Sequence, residues 1–260
     1  MNRTILLSLF FITLFSSCKK EEERDTQRPV ISNALVDGED HDIELTAGLD
    51  FRLTALVNDD RNLGQFKVDI HDDFDGHDHG RIMAKWADVI IEDISGTEAN
   101  IDRMIPVPQD ALAGPYHMIL RALDAEGNES EFVQMTLIVK NGSEPMISVN
   151  DPDLSAEFPI NRNDTLSLVG TVVEDVDLTE VLVSLRPGAV HDHGRLSAEV
   201  LFEKDFDLPG SSDTSWDMQL DGDLNIPIPA DAEVGDYTLL IVAKDSQGNL
   251  GIFEAIIEVI

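Results

Sequence analysis

Tyr116-His117-Met118-Ile119-Leu120-Arg121-Ala122 leads into Asp124-Ala125-Glu126-Gly127-Asn128. The same pair of segments returns as Tyr237-Thr238-Leu239-Leu240-Ile241-Val242-Ala243 and Asp245-Ser246-Gln247-Gly248-Asn249. Each pair is a short apolar run closed by a turn signal, the mark of a strand entering a hairpin. Gly supplies a positive φ in such a turn and Asn tolerates one. Phe51 to Val57, Phe66 to Ile70 and Val181 to Leu185 alternate apolar with polar residues at the two-residue period of a half-buried strand. No segment sustains a helical period.

Further landmarks recur in the same order. Pro29-Val30-Ile31 is matched by Pro145-Met146-Ile147, and Phe66 to Ile70 by Val181 to Leu185. His77-Asp78-His79-Gly80-Arg81 is matched by His191 to Arg195, Ile105 to Pro108 by Ile226 to Pro229, and Gly114-Pro115-Tyr116 by Gly235-Asp236-Tyr237. An ordered set of this kind reads as duplication of one unit. Each unit runs to about 110 residues, the size of an immunoglobulin-like sandwich. The expected fold is all-β: two tandem immunoglobulin-like β-sandwich domains at 28–141 and 144–260, joined by the polar Asn141-Gly142-Ser143-Glu144. The Tyr116 and Tyr237 segments then take the place of strand F, with each tyrosine at the corner before it.

The N-terminus reads as an address. Arg3 precedes the apolar run Ile5 to Phe15, which is too short for a comfortable membrane span and ends at Ser16-Ser17-Cys18. This stretch resembles a bacterial lipoprotein signal, which implies a signal peptide at 1–17, lipidation of Cys18 and a tether at 18–27. Phe15 departs from that pattern. Lys19-Lys20-Glu21-Glu22-Glu23 resembles the surface-export signal of Bacteroidetes lipoproteins, which implies the outer face of the outer membrane. Cys18 is the one cysteine, so no intramolecular disulfide can staple the fold.

The formal charge is −33, and it becomes −34 once Arg3 leaves with residues 1–17. Such a chain repels nucleic acid and anionic headgroups and attracts cations or basic partners.

Between Ile70 and Arg81 stand three of the seven histidines and four aspartates. Imidazoles beside carboxylates suit a borderline divalent metal such as Zn²⁺ or Cu²⁺. Phe66, Val68 and Ile70 face the core if strand 66–71 is half-buried, which turns Lys67, Asp69 and His71 outward. His117 points outward by the same parity in strand F. Strands C and F are neighbours in an immunoglobulin domain, so Asp69, His71 and His117 meet on one open sheet face, near the loop carrying His77 and His79. These five residues are the expected metal ligands. The second unit keeps His191 and His193 but has Arg186 and Thr238 at the positions of His71 and His117, leaving a weaker site.

Other readings stand beside this one. A histidine-rich acidic loop can simply titrate in solvent. The Asp-x-x-Gly-Asn turns admit a reading as calcium ligands, although Asp and Asn capping their own backbone explains them. Asp72-Asp73-Phe74-Asp75-Gly76 lacks the spacing and terminal Glu of an EF-hand. Trp86 reads as a core residue, with a place beside a ligand as the alternative.

Taken together, the lipoprotein signal, proline-led β-domain, His-Asp-His-Gly loop, Gly-x-Tyr-His strand and Asp-x-x-Gly-Asn turn resemble a family of Bacteroidetes lipoproteins catalogued as a domain of unknown function. The resemblance spans 28–260 and implies fold and address, without an activity. The expected function is non-catalytic metal binding at the cell surface, beside an outer-membrane transporter. The alternative is an adhesion or scaffold module that binds a protein or glycan. No Gly-x-Ser-x-Gly elbow, His-Glu-x-x-His helix or catalytic cysteine points to an enzyme.

Overall fold

The computed structural model describes residues 24–41, 43–72, 86–188, 200–208 and 214–260. The first domain is built from β1 (Val30–Val36), β2 (Ile43–Thr46), β3 (Asp50–Asn58), β4 (Leu63–Asp72), β5 (Asp88–Asp93), β6 (Glu98–Pro106), β7 (Gly114–Asp124) and β8 (Val133–Lys140). They sort into a three-stranded sheet, β1-β3-β6, and a five-stranded sheet, β2-β8-β7-β4-β5. This is the immunoglobulin-like arrangement, with β4 and β7 as the neighbouring strands C and F.

Alternation makes the sandwich. Phe51, Leu53, Ala55 and Val57 of β3 are buried, as are Phe66, Val68 and Ile70 of β4 and Tyr116, Met118, Leu120 and Ala122 of β7. All belong to one apolar core between the two sheets. Full burial of each large side chain contributes about 1.5–3 kcal/mol. Trp86 completes that core, its ring centroid 5.2 Å from Tyr116 and 6.3 Å from Phe51.

The second domain contains β9 (Met146–Asp151), β10 (Phe158–Ile160), β11 (Thr165–Ser167), β12 (Val169–Val173), β13 (Leu178–Pro187), β14 (Phe202–Asp207), β15 (Ser215–Asp217), β16 (Asn225–Pro227), β17 (Gly235–Asp245) and β18 (Leu250–Val259). Its five-stranded sheet runs β10-β18-β17-β13-β14, and it has its own core. The opposing layer is divided into β15-β12-β9 and β11-β16. Gly170 lies at this division: a Cβ there would meet the Ser148 carbonyl oxygen at 2.0 Å, so the bare backbone lets β9 and β12 approach. The five-stranded sheets end at β5 and β14, which carry Asp88, Glu92 and Asp93, and Glu203, Asp205 and Asp207.

Both tyrosines turn the corner expected of strand F. Tyr116 Oη donates to the Leu112 carbonyl and Tyr237 Oη to the Glu233 carbonyl, each at 3.0 Å. The two domains meet end to end. Asn249 Oδ1 accepts from the Ala113 backbone N–H at 3.1 Å and from Asn141 Nδ2 at 2.8 Å. Nearby, the Leu250 N–H donates to the Ala113 carbonyl at 2.9 Å. Asn141 Nδ2 also donates to the Ala111 carbonyl at 3.2 Å.

Candidate functional site

Antiparallel pairing of β4 with β7 sets His71 directly opposite His117. Their ring centroids lie 5.8 Å apart in an edge-to-face arrangement. Asp69, two residues before His71, is on the same face, with Oδ1 3.5 Å from His71 Nδ1. Chain-distant imidazoles therefore come together through strand pairing. The face is not open at that point, however: His117 is only 2% exposed.

Lys67 is a neighbour that the metal reading left out. It occupies the same face, and its Nζ donates to Asp69 Oδ2 at 2.7 Å. That bond, opposed by burial and helped by His71, holds the Asp69 carboxyl below the usual carboxylate range. Asp69 thus serves better as an orienting partner for His71 than as a free ligand. His77, His79, His191, His193 and Cys18 lie outside the described residues. In the second domain Arg186 faces Thr238 in the same register as His71 and His117, and Arg186 pairs with Glu203 at 2.8 Å. A guanidinium there opposes a cation.

The Asp-x-x-Gly-Asn turns cap themselves. Asp124 Oδ1 accepts from the backbone N–H groups of Glu126 and Asn128, and its Oδ2 from Asn128 Nδ2. Asp245 repeats this with Gln247 and Asn249. Burial alone raises the Asp124 carboxyl, but the Asn128 side chain and the turn amides outweigh it and hold it low. Gly127 and Gly248 have the positive φ that the turn needs, at 87° and 98°. Asn128 and Asn249 are not among the residues with positive φ. Their contribution is the side-chain bond across the turn, which corrects the expected backbone role.

Among the described residues, two groups bring three ligand atoms within 4.8 Å of one another. They are Asp25, Asp124 and Glu126, and Asp25, Asp59 and Asp60. The trio Asp69, His71 and His117 is not such a group. Sequence reading passed over Asp25, which sits in the apparent tether but is 2% exposed. The signal that would have found it is its position four residues before Pro29, since Asn141 stands four residues before Pro145.

No curated protein matches the chain. Fibronectin(III)-like modules of CbhA from Clostridium thermocellum are 16% identical, with 87% of this chain and 93% of that one covered and a TM-score of 0.25. Latent PorU from Porphyromonas gingivalis is 14% identical over 89% of this chain and 24% of that one, with a TM-score of 0.29. The sialic acid binding region of a Streptococcus sanguinis adhesin is 12% identical over 91% of this chain and 78% of that one, at 0.30. Likeness at these scores carries no argument about activity, and the architecture rests on the strand order itself. Two matches to one family, at residues 16–140 and 136–260, cover both domains: the chain belongs to the family described as Domain of unknown function (DUF4625).

Proposed function

We propose that the chain is a non-catalytic lipoprotein, anchored through Cys18 at the bacterial outer surface, that captures a divalent transition metal on its first domain. His71 and His117 supply the ligating nitrogens, and His77 and His79 join them from the following loop. The register pairing of His71 with His117 carries this reading. Two imidazoles sharing one ion through bonds of about 2.0 Å have ring centres about 5–6 Å apart, and theirs are 5.8 Å apart. Asp69 beside His71 Nδ1 leaves Nε2 for the ion and fixes the ring, as outer-shell carboxylates do.

Neutral imidazole is the ligating form, so binding weakens below about pH 6. Calorimetric titration of the mature chain carrying Cys18→Ser with Zn²⁺ and Cu²⁺ tests the reading. One saturable site is expected, weakened at least tenfold by His71→Ala and by His117→Ala. Unchanged binding in both variants rejects it.

A second reading is supported by the hydrogen-bonded junction between the domains, which suits a stiff stalk or scaffold that holds a protein or glycan partner away from the membrane. Capture of an outer-membrane protein or glycan that persists in chelator favours this reading over metal binding.

A further inference from the structure

We propose that the end of the first domain nearest the N-terminus is a Ca²⁺ site, separate from the histidines, formed by Asp25, Asp59, Asp60, Asp124 and Glu126. Asp25 is its centre. The side chain is 2% exposed, and Oδ1 accepts from the Gln27 N–H at 2.9 Å. Oδ2 is buried with no hydrogen-bond partner. Its ion-pair contact, to Arg61 Nε, is 3.8 Å long and beyond hydrogen-bonding reach. A buried carboxylate oxygen without a donor is costly, and a bound cation removes that cost.

The surroundings supply further oxygens. Asp59 Oδ1 caps the turn after β3 by accepting from the Arg61 and Asn62 N–H groups at 2.9 and 2.8 Å. Asp59 Oδ2 is buried without a hydrogen-bond partner, like Asp25 Oδ2. Asp60 Oδ2 accepts from Gln27 Nε2 at 3.2 Å. Asp124 accepts bonds within its own turn, and one of its oxygens also lies beside ligand atoms of Asp25 and Glu126. In each of the two groups the ligand atoms lie within 4.8 Å of one another, and Asp25 belongs to both. Oxygens bound to one Ca²⁺ at 2.3–2.6 Å are separated by up to about 5 Å. All donors are oxygen, which selects a hard cation over Zn²⁺ or Cu²⁺. Tolerance of irregular geometry favours Ca²⁺ over Mg²⁺.

The second domain provides an internal comparison. By position, Asp25, Asp59, Asp60, Asp124 and Glu126 correspond to Asn141, Glu174, Asp175, Asp245 and Gln247. Two carboxylates have become amides, one of them at the central position. Asn141 is fully used by the protein: Nδ2 donates to Ala111 and Asn249, and Oδ1 accepts from the Ser143 N–H at 2.9 Å. Where another domain abuts the turn, amides close the junction. At the corresponding end of the first domain the same positions hold carboxylates, and a cation takes the place of the missing donors. Asp25 is also held through its backbone, whose carbonyl accepts from Asn128 Nδ2 at 3.2 Å. The ion therefore clamps the segment leading from the N-terminus onto the sandwich.

The test is calorimetric titration of the Cys18→Ser mature chain with CaCl₂ at physiological ionic strength, paired with thermal melts. One saturable site is expected, with a Kd of roughly 10⁻⁵–10⁻³ M, and a rise in Tm with Ca²⁺. Asp25→Asn and Glu126→Gln each weaken binding at least tenfold. Glu126 is exposed, so its variant keeps the fold, which circular dichroism checks. The double variant His71→Ala/His117→Ala binds Ca²⁺ as before, which separates this site from the transition-metal reading. Absence of a saturable Ca²⁺ site, or equal binding by both the Asp25→Asn and Glu126→Gln variants, overturns the proposal.

Discussion

The side-chain oxygen of Asn249, in a turn of the second domain, accepts a hydrogen bond from the backbone N–H of Ala113 in the first, at 3.1 Å. One residue thus closes its own turn and the domain junction. Asn249→Ala leaves the buried Ala113 N–H and the Asp245 carboxylate without this partner, at a cost of about 1–3 kcal/mol. A lower Tm and a larger maximum dimension in small-angle scattering are expected. Asn128→Ala, at the equivalent turn of the first domain, should lower Tm and leave the dimension unchanged. Equal scattering from the Asn249 variant and the parent would show that the junction does not depend on this bond.

The tyrosine corners should act one per domain. Tyr116→Phe and Tyr237→Phe each remove one hydroxyl bonded to a carbonyl and keep the ring. Each should cost about 1–2 kcal/mol. Urea unfolding followed by hydrogen exchange should show protection lost in the mutated domain first. Uniform loss across both domains would mean that they unfold as one unit.

Glu174 is a place where a charge hurts. Its half-buried carboxyl is pushed up by burial and by Asp175 and Asp245 close by. The folded state therefore binds a proton more tightly than the unfolded chain, and stability falls as pH rises from about 4.3 through the raised folded value. Glu174→Gln should raise stability at pH 7 by a few tenths of a kcal/mol to about 1, since solvent screens a group of this exposure. The advantage should vanish near pH 4. Thermal melts of both proteins across pH 4–7 check the sign. An advantage that grows on acidification would contradict it.

The sandwich was legible because it depends on parity. Once Phe66, Val68 and Ile70 alternate with Lys67 and Asp69, and Tyr116, Met118 and Leu120 with His117 and Ile119, the inward and outward sets follow from the pleat. That the turn after strand F is self-capped also followed from residue type. Burial on the outward face was not legible, which is why His117 was expected in the open. Lys67 competes for Asp69 because both lie on one face two residues apart; the metal reading weighed Arg186 against the second site but did not weigh Lys67 against the first. Asp25 was hidden for another reason. Its burial depends on the turn at Asp124 and the loop at Asp59, contacts that span the domain and leave no local pattern.

The outermost strands of the five-stranded sheets have a consequence for crowding. Val89 and Ile91 on β5 are exposed, a sequence prone to annealing with a strand of another molecule. Asp88 and Asp93 bracket them, and β14 carries Asp205 and Asp207 at the matching margin, whereas Glu92 and Glu203 are paired with Arg103 and Arg186. Two copies approaching margin to margin bring like charges together before any backbone ladder can form. These carboxylates let the chain be packed densely while each copy stays separate, and acidification would remove that guard.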